Sequence, residues 1–105
     1  MENQYRKISF AEAKEILDND ANAVLLDVRE EAEYITGHAV DAVLLPLRER
    51  DAASASEVIP SQDTSVLVYC RSGRRSREAA LILAELGYTE VYDIGSLIGW
   101  PYGTE

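Results

Sequence analysis

Cys70 is the only cysteine in the chain, and Arg71, Arg74, Arg75 and Arg77 follow it within seven residues. No acid interrupts them until Glu78. A thiolate is the nucleophilic form of cysteine, and nearby cations favour it. The segment reads Val-Leu-Val-Tyr-Cys, then Arg-Ser-Gly-Arg-Arg-Ser, then an alanine- and leucine-rich run. Gly73 gives the polar part backbone angles that other residues avoid. Successive N–H groups can then converge into an anion-binding nest. The chemistry implied is covalent attack by Cys70 on a small anionic partner.

The elements that position this loop follow from periodicity. Residues 66–70 are a short, apolar, β-branched run, which suits a strand buried on both faces. Ala79, Ile82, Leu83 and Leu86 fall at i, i+3, i+4 and i+7, one face of a helix. The first N–H groups of a helix lack intrahelical acceptors, and its dipole favours negative charge there. Cys70 is thus expected at the carboxyl end of a strand, facing a helix N-terminus. Ser76 is a candidate cap for that helix. Positive charge at a helix start opposes the dipole, so the arginines call for a reason beyond solvation.

Upstream, the chain alternates strand and helix. A first strand is expected over 6–9. Ser9 and Glu12 form an S-x-x-E capping box, and Phe10, Ala13, Ile16 and Leu17 mark one face of a first helix. A second strand spans 23–28. A short acidic helix over 30–36 ends at Gly37. A third strand over 43–45 stops at Pro46, and a weaker helix covers 48–57. Residues 60–64 form a turn. Gly87 stops the fourth helix, a fifth strand covers 91–94, and a helical turn over 96–100 closes at Pro101. Repeated strand–helix–strand units predict a three-layer α/β domain spanning 1–105, with a central parallel sheet of about five strands and helices on both faces. Ligands of such sheets bind outside the carboxyl ends of the strands, where Cys70 is expected.

The 105 residues are enough for one core; 47% are hydrophobic and 28% charged, as in ordinary globular chains. The net charge of −9 is uneven: residues 71–77 hold 4 of the 10 basic residues, and the remainder sets 6 basic against 19 acidic. This balance disfavours nucleic acid as a partner and leaves a local basic site for a small anion. No apolar run approaches the roughly 18 residues of a membrane span, and no secretory signal is evident. One cysteine makes neither an internal disulfide nor a multi-cysteine zinc site, so a reducing cytoplasm is the expected location.

Cys70-Arg71-Ser72-Gly73-Arg74-Arg75-Ser76 after an apolar strand resembles the active-site loop of the single-domain rhodaneses, which are sulfurtransferases. The resemblance extends through Asp27-Val28-Arg29, Glu33-Tyr34, Gly37-His38, Gly87-Tyr88, Val91-Tyr92-Asp93 and Trp100-Pro101-Tyr102, covering about residues 6–102. It implies a rhodanese-like fold, a persulfide on Cys70, and Arg71 to Ser76 as the cradle that binds the substrate. A small anionic donor such as thiosulfate would load Cys70. A low-molecular-weight thiol, a protein thiol or cyanide would take the sulfur, with no metal or organic cofactor and a monomer as the working unit. Two departures stand out. Gly37-His38-Ala39-Val40-Asp41-Ala42 replaces the family's Gly-His-Ile-Pro-Gly-Ala, and Gly95-Ser96 stands where paired glycines are frequent.

Other residues read more simply. Asp27 ends a buried strand and needs partners there, so Asp27 and Arg29 are expected to be a structural pair. His38, the only histidine, follows a helix stop and is expected to fix a turn. Trp100 and Tyr102 are expected to anchor the C-terminal segment. A phosphatase or arsenate reductase would need Cys-x5-Arg for a bidentate clamp, and position 76 is serine. The remaining alternative is a persulfide carrier fed by a partner protein, distinguished from an enzyme by its turnover on thiosulfate.

Overall fold

The computed structural model describes residues 4–46 and 52–105. Its elements run β1 (Arg6–Lys7), α1 (Phe10–Asn19), β2 (Val24–Asp27), α2 (Glu31–Thr36), β3 (Val43–Leu44), α3 (Ala52–Val58), β4 (Ser65–Cys70), α4 (Arg74–Glu85) and β5 (Glu90–Ser96). The five strands form one sheet in the order β1-β5-β4-β2-β3, and every pair is parallel. β4 is therefore central. Its residues Val66 to Cys70 are buried without interruption, as a strand covered on both faces requires.

Two apolar layers flank the sheet. On one face Leu26, Val66, Val68 and Val91 pack against Ala55 and Ile59 at α3 and against Ala80 and Leu83 of α4. On the other, Leu25, Leu67 and Ile94 meet Ala13, Ile16 and Leu17 of α1. Strand alternation puts consecutive residues on opposite faces, so β4 supplies both layers at once. The Ser9–Glu12 capping box is formed in both directions, at 3.1 Å and 2.9 Å.

Three boundaries differ from those the sequence suggests. β1 is two residues long, although Ile8 N–H still donates to the Asp93 carbonyl at 3.0 Å. β5 continues through Ser96, and residues 97–100 make a single turn, with Trp100 N–H donating to Leu97 C=O at 2.9 Å. Gly99 at φ 89° ends any helical continuation, because a type II turn requires positive φ at its third residue. The expected start of the third helix, 48–51, lies outside the described residues.

A bulge separates Val68 and Tyr69 in the β4–β5 ladder: Val68 pairs with Asp93, but Tyr69 pairs with Gly95. The shift brings Ser96 opposite Cys70. The extra residue, Ile94, turns its carbonyl to the Lys7 ammonium at 3.1 Å. Gly95 holds φ at 88°, a left-handed backbone that favours glycine at this corner.

Candidate active site

Cys70 lies at the carboxyl end of the central strand and is fully buried. Its sulfur accepts two backbone hydrogen bonds, from Gly73 N–H at 2.9 Å and from Ser76 N–H at 3.3 Å. One donor is the N-cap of α4 and the other lies in its first turn, where amides have no intrahelical acceptor. Gly73 is the N-cap and holds φ at 95°, which turns the chain back over the sulfur. Ser76 is therefore not the cap: it sits in the first turn, fully buried, and its hydroxyl donates to the Gly73 carbonyl at 3.1 Å. The capping position passes to glycine because the loop needs a left-handed residue more than a side-chain acceptor.

The rest of the loop is pinned from outside. Leu97 N–H donates to the Cys70 carbonyl at 2.9 Å, and the Ser96 hydroxyl donates to the Arg71 carbonyl. Ser96 thus gives the departure from paired glycines a use, since a second glycine would leave the Arg71 carbonyl without this donor. Arg71, Ser72 and Arg74 are exposed around the loop.

Arg75 differs from its neighbours. Its guanidinium forms a two-pronged pair with Glu33 of α2, at 2.6 Å and 2.9 Å. The hydrogen bonds from Arg75 hold the Glu33 carboxyl down at about 2, and Glu33 in turn raises the guanidinium's proton affinity. The Arg75 side chain is therefore engaged as a strut between α2 and α4. Arg71, Arg74 and Arg77 make no ion pair with a described residue. Glu33 was legible only as part of a motif, because its partner lies 42 positions away.

Behind the loop, Asp27 and Arg29 form the buried pair the sequence suggests. Arg29 Nε donates to Asp27 Oδ1 and Oδ2 at 3.0 Å, and Nη2 donates to Oδ2 at 2.7 Å and to the Gly37 carbonyl at 2.6 Å. Tyr69 O–H donates to Asp27 Oδ2 at 2.7 Å and accepts from Ala39 N–H at 3.0 Å. Burial, then the bond to Asp27, pushes the Tyr69 hydroxyl's pKa up, so it remains a donor. His38 stacks on Tyr34 at 3.7 Å between ring centroids, and its Nδ1 lies 2.9 Å from the Tyr34 carbonyl. Its backbone pairs in both directions with Glu105. This network fixes a turn. Trp100 makes edge-to-face contacts with Phe10 and Tyr102, which anchors the C-terminal segment over α1.

Fold and loop together define a class: an α/β protein whose one cysteine stands at the carboxyl edge of a parallel sheet, inside a loop of inward-facing amides. Comparison with known proteins carries this further. The family model described as "Rhodanese-like domain" matches residues 9–100. Thiosulfate sulfurtransferase PspE of Escherichia coli is 40% identical over 72 residues, covering 69% of this chain and 68% of that protein. Thiosulfate:glutathione sulfurtransferase of Saccharomyces cerevisiae is 34% identical over 105 residues, covering 88% and 75% respectively. A solved structure described as rhodanese with anions from E. coli superposes with a TM-score of 0.73 at 32% identity, covering 79% of this chain and 96% of that one. The chain belongs to the rhodanese-like domain family. It is a sulfurtransferase of the rhodanese type.

Among the described residues, no group of His, Cys, Asp and Glu side chains could hold a metal ion, and no helix is long and apolar enough to cross a membrane.

Proposed function

We propose that Cys70 carries the transferred sulfur as a persulfide, with thiosulfate as donor and a thiol as acceptor. The observation that supports this reading is the pair of amides, Gly73 N–H and Ser76 N–H, donating to one sulfur atom. Hydrogen-bond donors fixed on a sulfur stabilise negative charge there without reorganisation. In the first half-reaction the Cys70 thiolate attacks the outer sulfur of thiosulfate. The sulfur–sulfur bond of thiosulfate breaks, its electron pair leaves with sulfite, and a persulfide anion remains on Cys70. In the second, a thiol or cyanide attacks the outer sulfur and Cys70 leaves as thiolate. This is ping-pong covalent catalysis.

Arg74 and the loop amides hold the donor, Arg71 and Ser72 border them, and Arg75 acts through Glu33 to keep the first turn of α4 in place. The name of the yeast relative supports a thiol acceptor, and the anions of the E. coli rhodanese support an anionic donor. One chain contains the whole loop, so we take the monomer as the working unit. A reducing compartment such as the cytoplasm suits a reaction that must regenerate a free thiolate.

The deciding experiment is intact mass after brief thiosulfate treatment, with and without later cyanide. One sulfur atom should be gained and then removed, and Cys70→Ala should gain none. Equal loading of the alanine variant would overturn the assignment.

A further inference from the structure

Ser96 is the last residue of β5 and stands opposite Cys70 in the β4–β5 ladder. Its hydroxyl is used in both directions. It donates to the Arg71 carbonyl and accepts from Ile98 N–H at 3.0 Å. The next residue continues the bracing, with Leu97 N–H donating to the Cys70 carbonyl at 2.9 Å. Gly73 leans on the same corner: a Cβ there would lie 3.7 Å from Gly95 Cα and from Ser96 N. Two consecutive carbonyls of the loop are therefore held by the end of β5, Cys70 through a backbone amide and Arg71 through a side chain. Only the second of these bonds can be removed by substituting its donor side chain.

That bond fixes more than one carbonyl. A peptide unit is planar and trans, so its C=O and N–H point in opposite directions. With the Arg71 carbonyl turned to Ser96, the Ser72 N–H of the same unit is turned the other way. Ser72 is exposed, and its N–H makes no hydrogen bond with a described residue. Rotation of this unit about its flanking bonds would exchange the two groups and bring a carbonyl oxygen to where the N–H now stands. An N–H attracts an approaching anion, and a carbonyl oxygen repels it. We infer that Ser96 is a positioning residue: its hydroxyl locks the Arg71–Ser72 peptide so that an anionic reactant approaching Cys70 meets an N–H and not a carbonyl oxygen. Ser96 acts through the Arg71 carbonyl, and its effect is on the share of molecules whose loop is set to receive an anion. The inference rests on the sulfurtransferase reading in taking Cys70 as the nucleophile, and it adds a residue that sets the loop's preference for negatively charged reactants.

The test uses two alkylating reagents that attack the same sulfur and differ in charge, the anion iodoacetate and the neutral iodoacetamide. Their rates with Cys70 are followed by intact mass on the full chain, at one pH and ionic strength. The ratio of the iodoacetate rate to the iodoacetamide rate should fall about threefold in Ser96→Ala, the population shift that loss of one hydrogen bond implies. Ser96→Thr keeps the hydroxyl and should hold the wild-type ratio. A role confined to stability would change both rates together, because it would act on the exposure or ionisation of Cys70 whatever the charge of the reagent. An unchanged ratio in Ser96→Ala, an equal fall in Ser96→Thr, or a wild type that reacts with neither reagent would overturn the inference. Alkylation needs no sulfur turnover, so these outcomes are separate from sulfur loading by thiosulfate, whose failure bears on the proposed function.

Discussion

At the scale of the residue, two positions show how local physics sets the site's tolerance. Asp41 takes φ 68° at the third position of a turn closed by Ala42 N–H donating to Ala39 C=O at 3.0 Å, where the family pattern has glycine. A left-handed aspartate costs about 1 kcal/mol relative to glycine. Its own N–H bonds Glu105 Oε2 at 2.9 Å, a contact that glycine retains. Asp41→Gly should therefore stabilise the protein by up to about 1 kcal/mol in urea denaturation, glycine's greater freedom in the unfolded chain setting the upper limit. A destabilised variant would show that the aspartate side chain holds the turn. The residue before it explains the other departure: Val40 N–H donates to Gly103 C=O at 3.2 Å, and proline would remove that donor. In the loop, Arg74 is exposed and makes no described ion pair, whereas Arg75 is committed to Glu33. Arg74→Ala should raise KM for thiosulfate several-fold, roughly 1 kcal/mol of a charge-assisted contact. The KM for a neutral persulfide donor should move less. Equal shifts for both donors would remove the electrostatic role.

At the scale of the element, the Arg75–Glu33 strut ties α2 to the helix that holds the sulfur. The carboxyl of Glu33 is lowered from 4.5 to about 2, first by its hydrogen bonds from Arg75. A carboxylate depressed on folding contributes stability that is fully present above its unfolded value and is lost as pH falls through its folded value. Glu33→Gln should therefore be less stable than wild type at neutral pH, by the roughly 0.2–1 kcal/mol of a partly exposed pair. The gap should close between pH 4.5 and 2. A constant gap across that window would show that the glutamate acts through packing and not through its charge. This strut also marks where sequence reasoning stops. The buried run of β4, the Ser9 capping box and the helix stop at Gly87 are local patterns, and each is visible in a few consecutive residues. Arg75 reads as one of four equivalent cations because nothing nearby reveals a partner in α2. Ser76 reads as a cap because serine favours caps, yet the turn over the sulfur needs Gly73's positive φ at that position. Residues 96–100 read as helical because the β5 bulge, which carries the strand on to Ser96, depends on its neighbour β4. Asp93 carried a readable signal, an acid between the apolar residues of its strand, but the missing partner of its Oδ1 is visible only in three dimensions.

At the scale of the molecule, the sheet places all of its chemistry at one edge and supports it there with a buried charge cluster. Asp27 ends β2, Tyr69 lies beside it on β4, and Arg29 reaches from Asp27 to the Gly37 carbonyl beyond α2. Two strands, the end of α2 and the following turn at Ala39 therefore meet at one buried carboxylate. With Asp27 fully buried and Arg29 only 7% exposed, neither charge has water as a substitute partner. Removing one member should leave an uncompensated charge, so Arg29→Met should cost about 3–5 kcal/mol in urea denaturation. Neutralising the remaining carboxylate changes the balance. The double variant Asp27→Asn with Arg29→Met should recover part of that loss, because an amide keeps an acceptor for Tyr69 O–H without the buried charge. A double variant as unstable as the sum of its single variants would show that the pair acts as two separate contacts. Recovery would show that the network's cost lies in the carboxylate and that Arg29 is present to neutralise it. On that account Arg29 lies outside the sulfur chemistry and holds the carboxyl edge of β2 and β4 in register, which places Cys70 against the start of α4.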